Sequence, residues 1–164
     1  MSCLGVHFAL EGADEAKLLS LKDDEERLTF VIEQIEERYF GSPFACESDK
    51  AWDAIHRCFD NGKLTYDAST PLRMIILGGT PLYERGDYII AYKTADDVIE
   101  INRAVMAVTP AVMRPFHDAI DPADYGFSLN EENWEYTWHW FERVRAFYLS
   151  AAAANRAVIF TADQ

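Results

Sequence analysis

Apolar residues recur along this chain at two periods, and the changes of period mark where strands and helices fall. Val6, Phe8 and Leu10 alternate with His7 and Ala9, which is the repeat of a short strand, and Glu11-Gly12 closes it. A short helix is expected over 14–19. Leu28, Val31, Ile32, Ile35 and Tyr39 then recur at helical spacing. Asp23, Asp24, Glu25 and Glu26 place negative charge at the positive end of that helix, and Gly41 and Pro43 stop it. Ser48 is positioned to cap a helix over 49–59, with Trp52, Ile55 and Phe59 as its apolar stripe and Asn61-Gly62 as its end.

The segment 70–79 fits a buried strand or a short helix. The helix is preferred, because Thr70 suits the cap, Pro71 the first helical position and Gly78 the residue past the end. Residues 88–92 read as a strand. Thr94 and Asp97 form a capping-box pattern that opens a helix to about residue 108, before Pro110. A helix over 112–119 follows, then a loop marked by Asp121-Pro122 and Tyr125-Gly126. Ser128 and Glu131 repeat the capping-box pattern and open the longest helix, over 129–154, ahead of a closing strand at 157–160. Helices that run between few strands predict an α+β fold. The expected architecture is a single compact domain over 1–164, with several helices packed on a small mixed sheet. A long C-terminal aromatic helix is followed by a final strand.

Composition narrows the function. The 164 residues are 49% hydrophobic, enough for a core without disulfides or a metal. Asp and Glu number 28 against 15 Lys and Arg, a net charge of −13, and no basic cluster is present. That balance excludes a nucleic-acid partner and disfavours an anionic membrane surface, because both require a basic stripe. It leaves a basic protein partner, which the acidic field would steer. Cys3, Cys46 and Cys58 make an odd count without CxxC spacing, against a disulfide framework and against zinc. No cofactor is expected. The N-terminus lacks the basic region of a signal peptide, and no apolar run reaches the roughly 18 residues of a membrane span. The expected location is the reduced cytoplasm.

Three stretches carry candidate chemistry. Asp49, Asp53 and His56 fall at i, i+4 and i+7, so on a helix they share a stripe with Trp52. A carboxylate there can orient His56 as a general base, with His139 or Tyr125 as a further polar group. The structural alternative, which is preferred, makes Asp49 a helix-start charge, Asp53 a solvated residue and His56 a core-edge residue. Gly78-Gly79 permit close backbone approach and N–H groups for an anion, yet no GxGxxG or GK[ST] pattern surrounds them, and a helix end explains them equally. In the aromatic helix, Trp134, Trp138, Phe141 and Tyr148 form one face, while Tyr136, Trp140, Arg143 and Phe147 point largely the other way. Aromatics on two sides mean a helix sandwiched in the fold or one with an adhesive face for a ligand or partner. No GxSxG is present, and His56 and Cys58 diverge on a helix.

The run Asp49-Lys50-Ala51-Trp52-Asp53-Ala54-Ile55-His56, followed by Pro71-Leu72 leading to Leu77-Gly78-Gly79, resembles the YfbM-like family of small bacterial proteins, a domain family of unknown function. The Gly5-Val6-His7-Phe8 start and the long helix before a final strand fit the same layout, so the resemblance spans nearly the whole chain. It implies a cytoplasmic, single-domain α+β protein and brings no activity, cofactor or catalytic residue. Position by position, Asp49, Lys50, Trp52, Asp53, His56, Gly78 and Gly79 match the family's pattern.

Two readings of function follow. The first is a non-enzymatic binding protein, with immunity-type occlusion of a basic partner as one version and a homodimer on the Trp140 face as another. The second is a small enzyme or ligand-binding protein with a pocket between the 49–56 helix and the aromatic helix, using His56 as general base. The surroundings of His56 discriminate them. An imidazole opening into a cleft beside a carboxylate favours the enzyme, whereas one sealed by backbone partners does not.

Overall fold

The N-terminal alternation forms strand β1 (Gly5–Leu10), but both of its faces are buried because helices cover the sheet on each side. The computed structural model describes residues 3–83 and 85–163. Strand β1 lies between β2 (Ala45–Asp49) and β5 (Ala157–Asp163), and β4 (Tyr88–Lys93) and β3 (Thr80–Tyr83) follow in the order β2-β1-β5-β4-β3. The expectation of a mixed sheet is corrected: every pairing is antiparallel. The helical excursions between β1 and β2, and between β4 and β5, bring the chain back beside the strand it left, so no parallel crossover is needed.

One face carries Val6, Phe8, Leu10, Ile90 and Ile159. It is covered by α1 (Gly12–Ser20) and by a helical run made of α2 (Asp24–Phe30), a π-helical segment (Val31–Glu36) and α3 (Glu37–Tyr39). Leu18, Val31, Ile35 and Tyr39 are the buried apolar residues of that cover. Side chains alternate across a strand, so Ala9, Ala91, Val158 and Phe160 face the other way. There they meet α4 (Ala51–Phe59), α5 (Ala95–Met106), α6 (Pro110–Asp118) and α8 (Glu131–Ala153), through Trp52, Ile55, Ile101, Phe141 and Tyr148. The loop expected around Tyr125 holds a short helix, α7 (Pro122–Tyr125).

The Thr94–Asp97 capping box forms as expected, with Thr94 Oγ1 accepting from the Asp97 N–H at 3.1 Å and Asp97 Oδ2 accepting from the Thr94 N–H at 2.9 Å. Three other caps are corrected. Ser48 lies within β2 and its hydroxyl donates to Gly5 O at 3.2 Å, and the following helix starts only at Ala51. Thr70 makes no side-chain cap, and the helix after it is one 3-10 turn (Pro71–Met74). Asn130, two residues beyond Ser128, caps α8 by accepting from the Asn133 N–H at 2.9 Å. Strands β2 and β3 were not expected, since one is mostly polar and the other contains Pro81.

Candidate functional site

After the 3-10 turn, residues 75–77 belong to neither helix nor strand yet are buried, so their backbone groups need partners from elsewhere. Buried side chains supply them. Ile75 O accepts from His7 Nε2 at 3.1 Å and from the Tyr148 hydroxyl at 2.7 Å. Ile76 O accepts from Lys93 Nζ. The Leu77 N–H donates to His56 Nδ1 at 3.4 Å. With Nδ1 accepting, the His56 proton lies on Nε2 and donates to Thr65 O at 2.9 Å, with Asp60 Oδ2 at 3.4 Å. Asp60 accepts in turn from the Thr65 N–H at 2.9 Å and hydroxyl at 2.7 Å. His56 is 0% exposed, and both ring nitrogens are engaged by backbone. Burial pushes its pKa down to about 4 despite the opposing charge of Asp60. Burial, and then the Lys93 charge, push His7 to about 3, and burial lowers Lys93 to about 7. This cluster holds the fold's irregular centre and opens onto none of the clefts described below.

The remaining candidates around it are equally occupied. Asp53 holds Arg57 Nε at 2.6 Å rather than orienting His56. Arg57 also donates to Gly62 O at 2.9 Å, pairs with Asp124 and lies over the Tyr125 ring at 5.9 Å. Asp49 ends β2 with φ 47°, so the expected stripe of Asp49, Asp53 and His56 on one helix does not form. Trp52 packs on Phe160 with centroids 5.6 Å apart and donates its indole N–H to Cys3 O at 3.0 Å. A Cβ on Gly78 would lie 2.3 Å from Arg73 O, and the Gly78 N–H already donates to that oxygen. Gly79 has φ 123°, and a Cβ there would lie 2.4 Å from Tyr92 O. Close backbone approach therefore explains both glycines. The Tyr125 hydroxyl accepts from Asn133 Nδ2 at 3.2 Å. Trp138 stacks on Trp134. Helices α4 and α8 meet through packed rings, Phe59 and Phe141 at 5.9 Å, where a pocket was expected.

The open surface lies at the other end of the sheet. Beyond α3, Val6, Thr161 and Asp163 line the base of a cleft of ≈ 400 Å³. Glu36, Glu47, Asp49 and Asp163 supply carboxylates, Phe40, Tyr88 and Trp140 supply rings, and among the described residues no basic side chain lines it. The Tyr88 hydroxyl donates to Glu36 Oε1 at 2.7 Å. A second cleft of ≈ 570 Å³ continues from the shared residues Phe40 and Glu47, between Pro43, Ala45 and Cys46 on one side and Arg143, Ala146, Phe147 and Ser150 of α8 on the other. Arg143 lies over the Trp140 ring at 4.9 Å, and exposed His139 stands edge-on to that ring at 5.4 Å. The two clefts form one groove along the outer side of β2. A hollow of ≈ 690 Å³ beside α1 and α2 is shallower and is walled by exposed side chains such as Lys17, Glu26 and Glu33.

A family model described as a domain of unknown function (DUF1877) matches residues 1–161. The chain belongs to that family. No curated protein matches it. Among solved structures, the crystal structure of a protein of unknown function, YfbM from Escherichia coli, matches with a TM-score of 0.71 at 14% identity. The match covers 97% of this chain and 99% of that one and shows a common fold. The family thus accounts for the architecture and leaves the chemistry to the residues.

Of the expected site residues, Asp49 and Trp140 line the acidic cleft and His139 stands beside it, while Trp52 and His56 are buried, Asp53 pairs with Arg57, and Gly78 and Gly79 lie against neighbouring backbone. Sequence reading missed Glu36, Phe40, Glu47, Arg143 and Asp163. A usable signal was present in an aromatic, Phe40, set just before the helix-ending Gly41, where nothing local can bury it; it is 47% exposed. None of the described helices is long and apolar enough to cross a membrane.

Proposed function

We propose that the chain is a non-enzymatic binding protein for a basic protein partner, and that the acidic end of the β2 groove receives it. The observation behind this reading is the composition of that cleft: carboxylates of Glu36, Glu47, Asp49 and Asp163 around the rings of Phe40, Tyr88 and Trp140. Ring faces and carboxylates together favour a cation such as a lysine or arginine side chain. The net charge of −13 steers such a partner in, and it opposes a homodimer on the Trp140 face, which would bring two acidic clefts together. Immunity-type occlusion of a basic active site is one concrete form of this function. The unpaired Cys3, Cys46 and Cys58 suit the reducing bacterial cytoplasm implied by the family resemblance.

Titration with a lysine-rich, unstructured peptide tests the reading. It predicts salt-sensitive binding that is lost in the double variant Glu47→Lys, Asp163→Lys. The control variant Asp96→Lys, Glu100→Lys changes net charge equally at exposed positions on α5 and retains binding. Equal loss in both variants would mean that the cleft has no special part in binding.

A further inference from the structure

We infer that the basic partner contributes an extended segment that pairs with the open edge of β2 as an additional strand, which rests on the binding reading above. Strand β2 is terminal in the sheet. The Ala9 N–H donates to Phe44 O at 2.9 Å, and His7 pairs with Cys46, which fixes the phase of the antiparallel ladder. Alternation then turns the N–H and C=O of Glu47 away from β1, toward the groove. The carbonyl there meets only the weak Cys46 thiol donor at 3.4 Å, whereas the outward N–H of Ala45 is already bonded to Ser42 O, so pairing centres on Glu47. The opposite edge of the sheet is blocked. There β3 carries Pro81, and Arg27 of α2 donates to Leu82 O at 3.4 Å. The β2 edge has walls instead of a cover. Trp140, Arg143, Ala146 and Ser150 recur at helical spacing along α8 on one side, and Phe40 to Pro43 stand on the other.

The dimensions suit a strand. Five residues of β2 span roughly 17 Å, and the α8 stripe from Trp140 to Ser150 runs roughly 15 Å. Ala45, Ala146 and Ser150 are small, which leaves room for a backbone. Charge assigns the register. The cleft at Asp49 is acidic, whereas Arg143, over the Trp140 ring, lines the adjoining cleft with Cys46 and Ala45, so the segment's basic residue seats beside Asp49 and an uncharged one beside Arg143. Backbone pairing supplies affinity and the acidic cleft supplies selection, the division of labour expected of strand addition.

Synthetic seven-residue peptides of alternating lysine and valine, capped at both ends, test this on the unaltered protein. Two further versions carry N-methyl groups on alternate amides, one blocking each edge of the peptide, and a fourth replaces lysine with glutamate. Binding is read from backbone amide shifts and from hydrogen exchange of the Glu47 amide. The inference predicts that the parent peptide slows Glu47 exchange and shifts amides over 45–49. One N-methyl version loses about tenfold or more in affinity while the other binds like the parent, and the glutamate peptide does not bind. If both N-methyl versions match the parent, strand addition is overturned and the cation-binding reading stands. If the glutamate peptide binds as well as the lysine one, or no basic peptide binds, both fall.

Discussion

At residues 75–77 and along β2 the backbone leaves regular pairing in two different ways. At 75–77 the chain is buried, and His7, Tyr148, Lys93 and His56 satisfy the Ile75 and Ile76 carbonyls and the Leu77 N–H. At β2 the chain is at the edge of the sheet, and the outward groups of Glu47 face a groove. The residues with the richest chemistry, two histidines, a lysine and a tyrosine, are spent on the first region. The second is built from ordinary surface residues; the Ala45 N–H donates to Ser42 O at 3.3 Å and Glu47 O accepts from the Cys46 thiol at 3.4 Å, while alternation turns the Glu47 N–H outward. The proposed partner site accordingly lies where polar groups face outward, while the inward-facing side chains of the first region hold backbone groups.

The contrast breaks most readily at the junction. Trp52→Ala should destabilise by about 3–5 kcal/mol, because it removes a large buried ring; chemical denaturation measures this. His56→Leu keeps the volume but leaves the Leu77 N–H and Thr65 O without partners, a loss of about 2 kcal/mol. A neutral outcome would mean that backbone satisfaction is not what His56 does. Protonation acts on the same region. His7 titrates near 6.5 when unfolded and near 3 when folded, so between those values the unfolded state binds more protons. Stability should therefore fall as pH drops from about 6.5 toward 3, and urea midpoints across that range should follow it. His7→Phe should reduce that slope, leaving the part that His56, pushed down to about 4, contributes, while Tyr148 continues to serve Ile75 O. At the groove, Glu47→Lys should change stability by no more than about 0.5 kcal/mol yet weaken binding of the lysine peptide strongly. Smallest of all, Arg103→Ala breaks an exposed pair with Glu100 and should be within about 0.5 kcal/mol of neutral.

Helical periodicity and caps made most of the fold legible. The Thr94–Asp97 box, the β1 alternation and the long aromatic helix stand where their patterns place them. What local pattern hides is pairing. Strand β2 is short and polar, and only its register with β1 makes it a strand, so Ser48 and Asp49 look like a helix start. The same limit applies to the site. The spacing of Asp49, Asp53 and His56 looked like one stripe, but the left-handed turn at Asp49 removes it from the helix. The groove joins Phe40, Glu47 and Trp140, which are distant in the chain, and no spacing rule connects them.

Native-state hydrogen exchange of the free protein compares the two regions directly, at the Leu77 and Glu47 amides. The account predicts that Leu77, buried and bonded to His56, exchanges only by global unfolding, and that Glu47 exchanges orders of magnitude faster through its open edge. Similar protection at the two amides would contradict it.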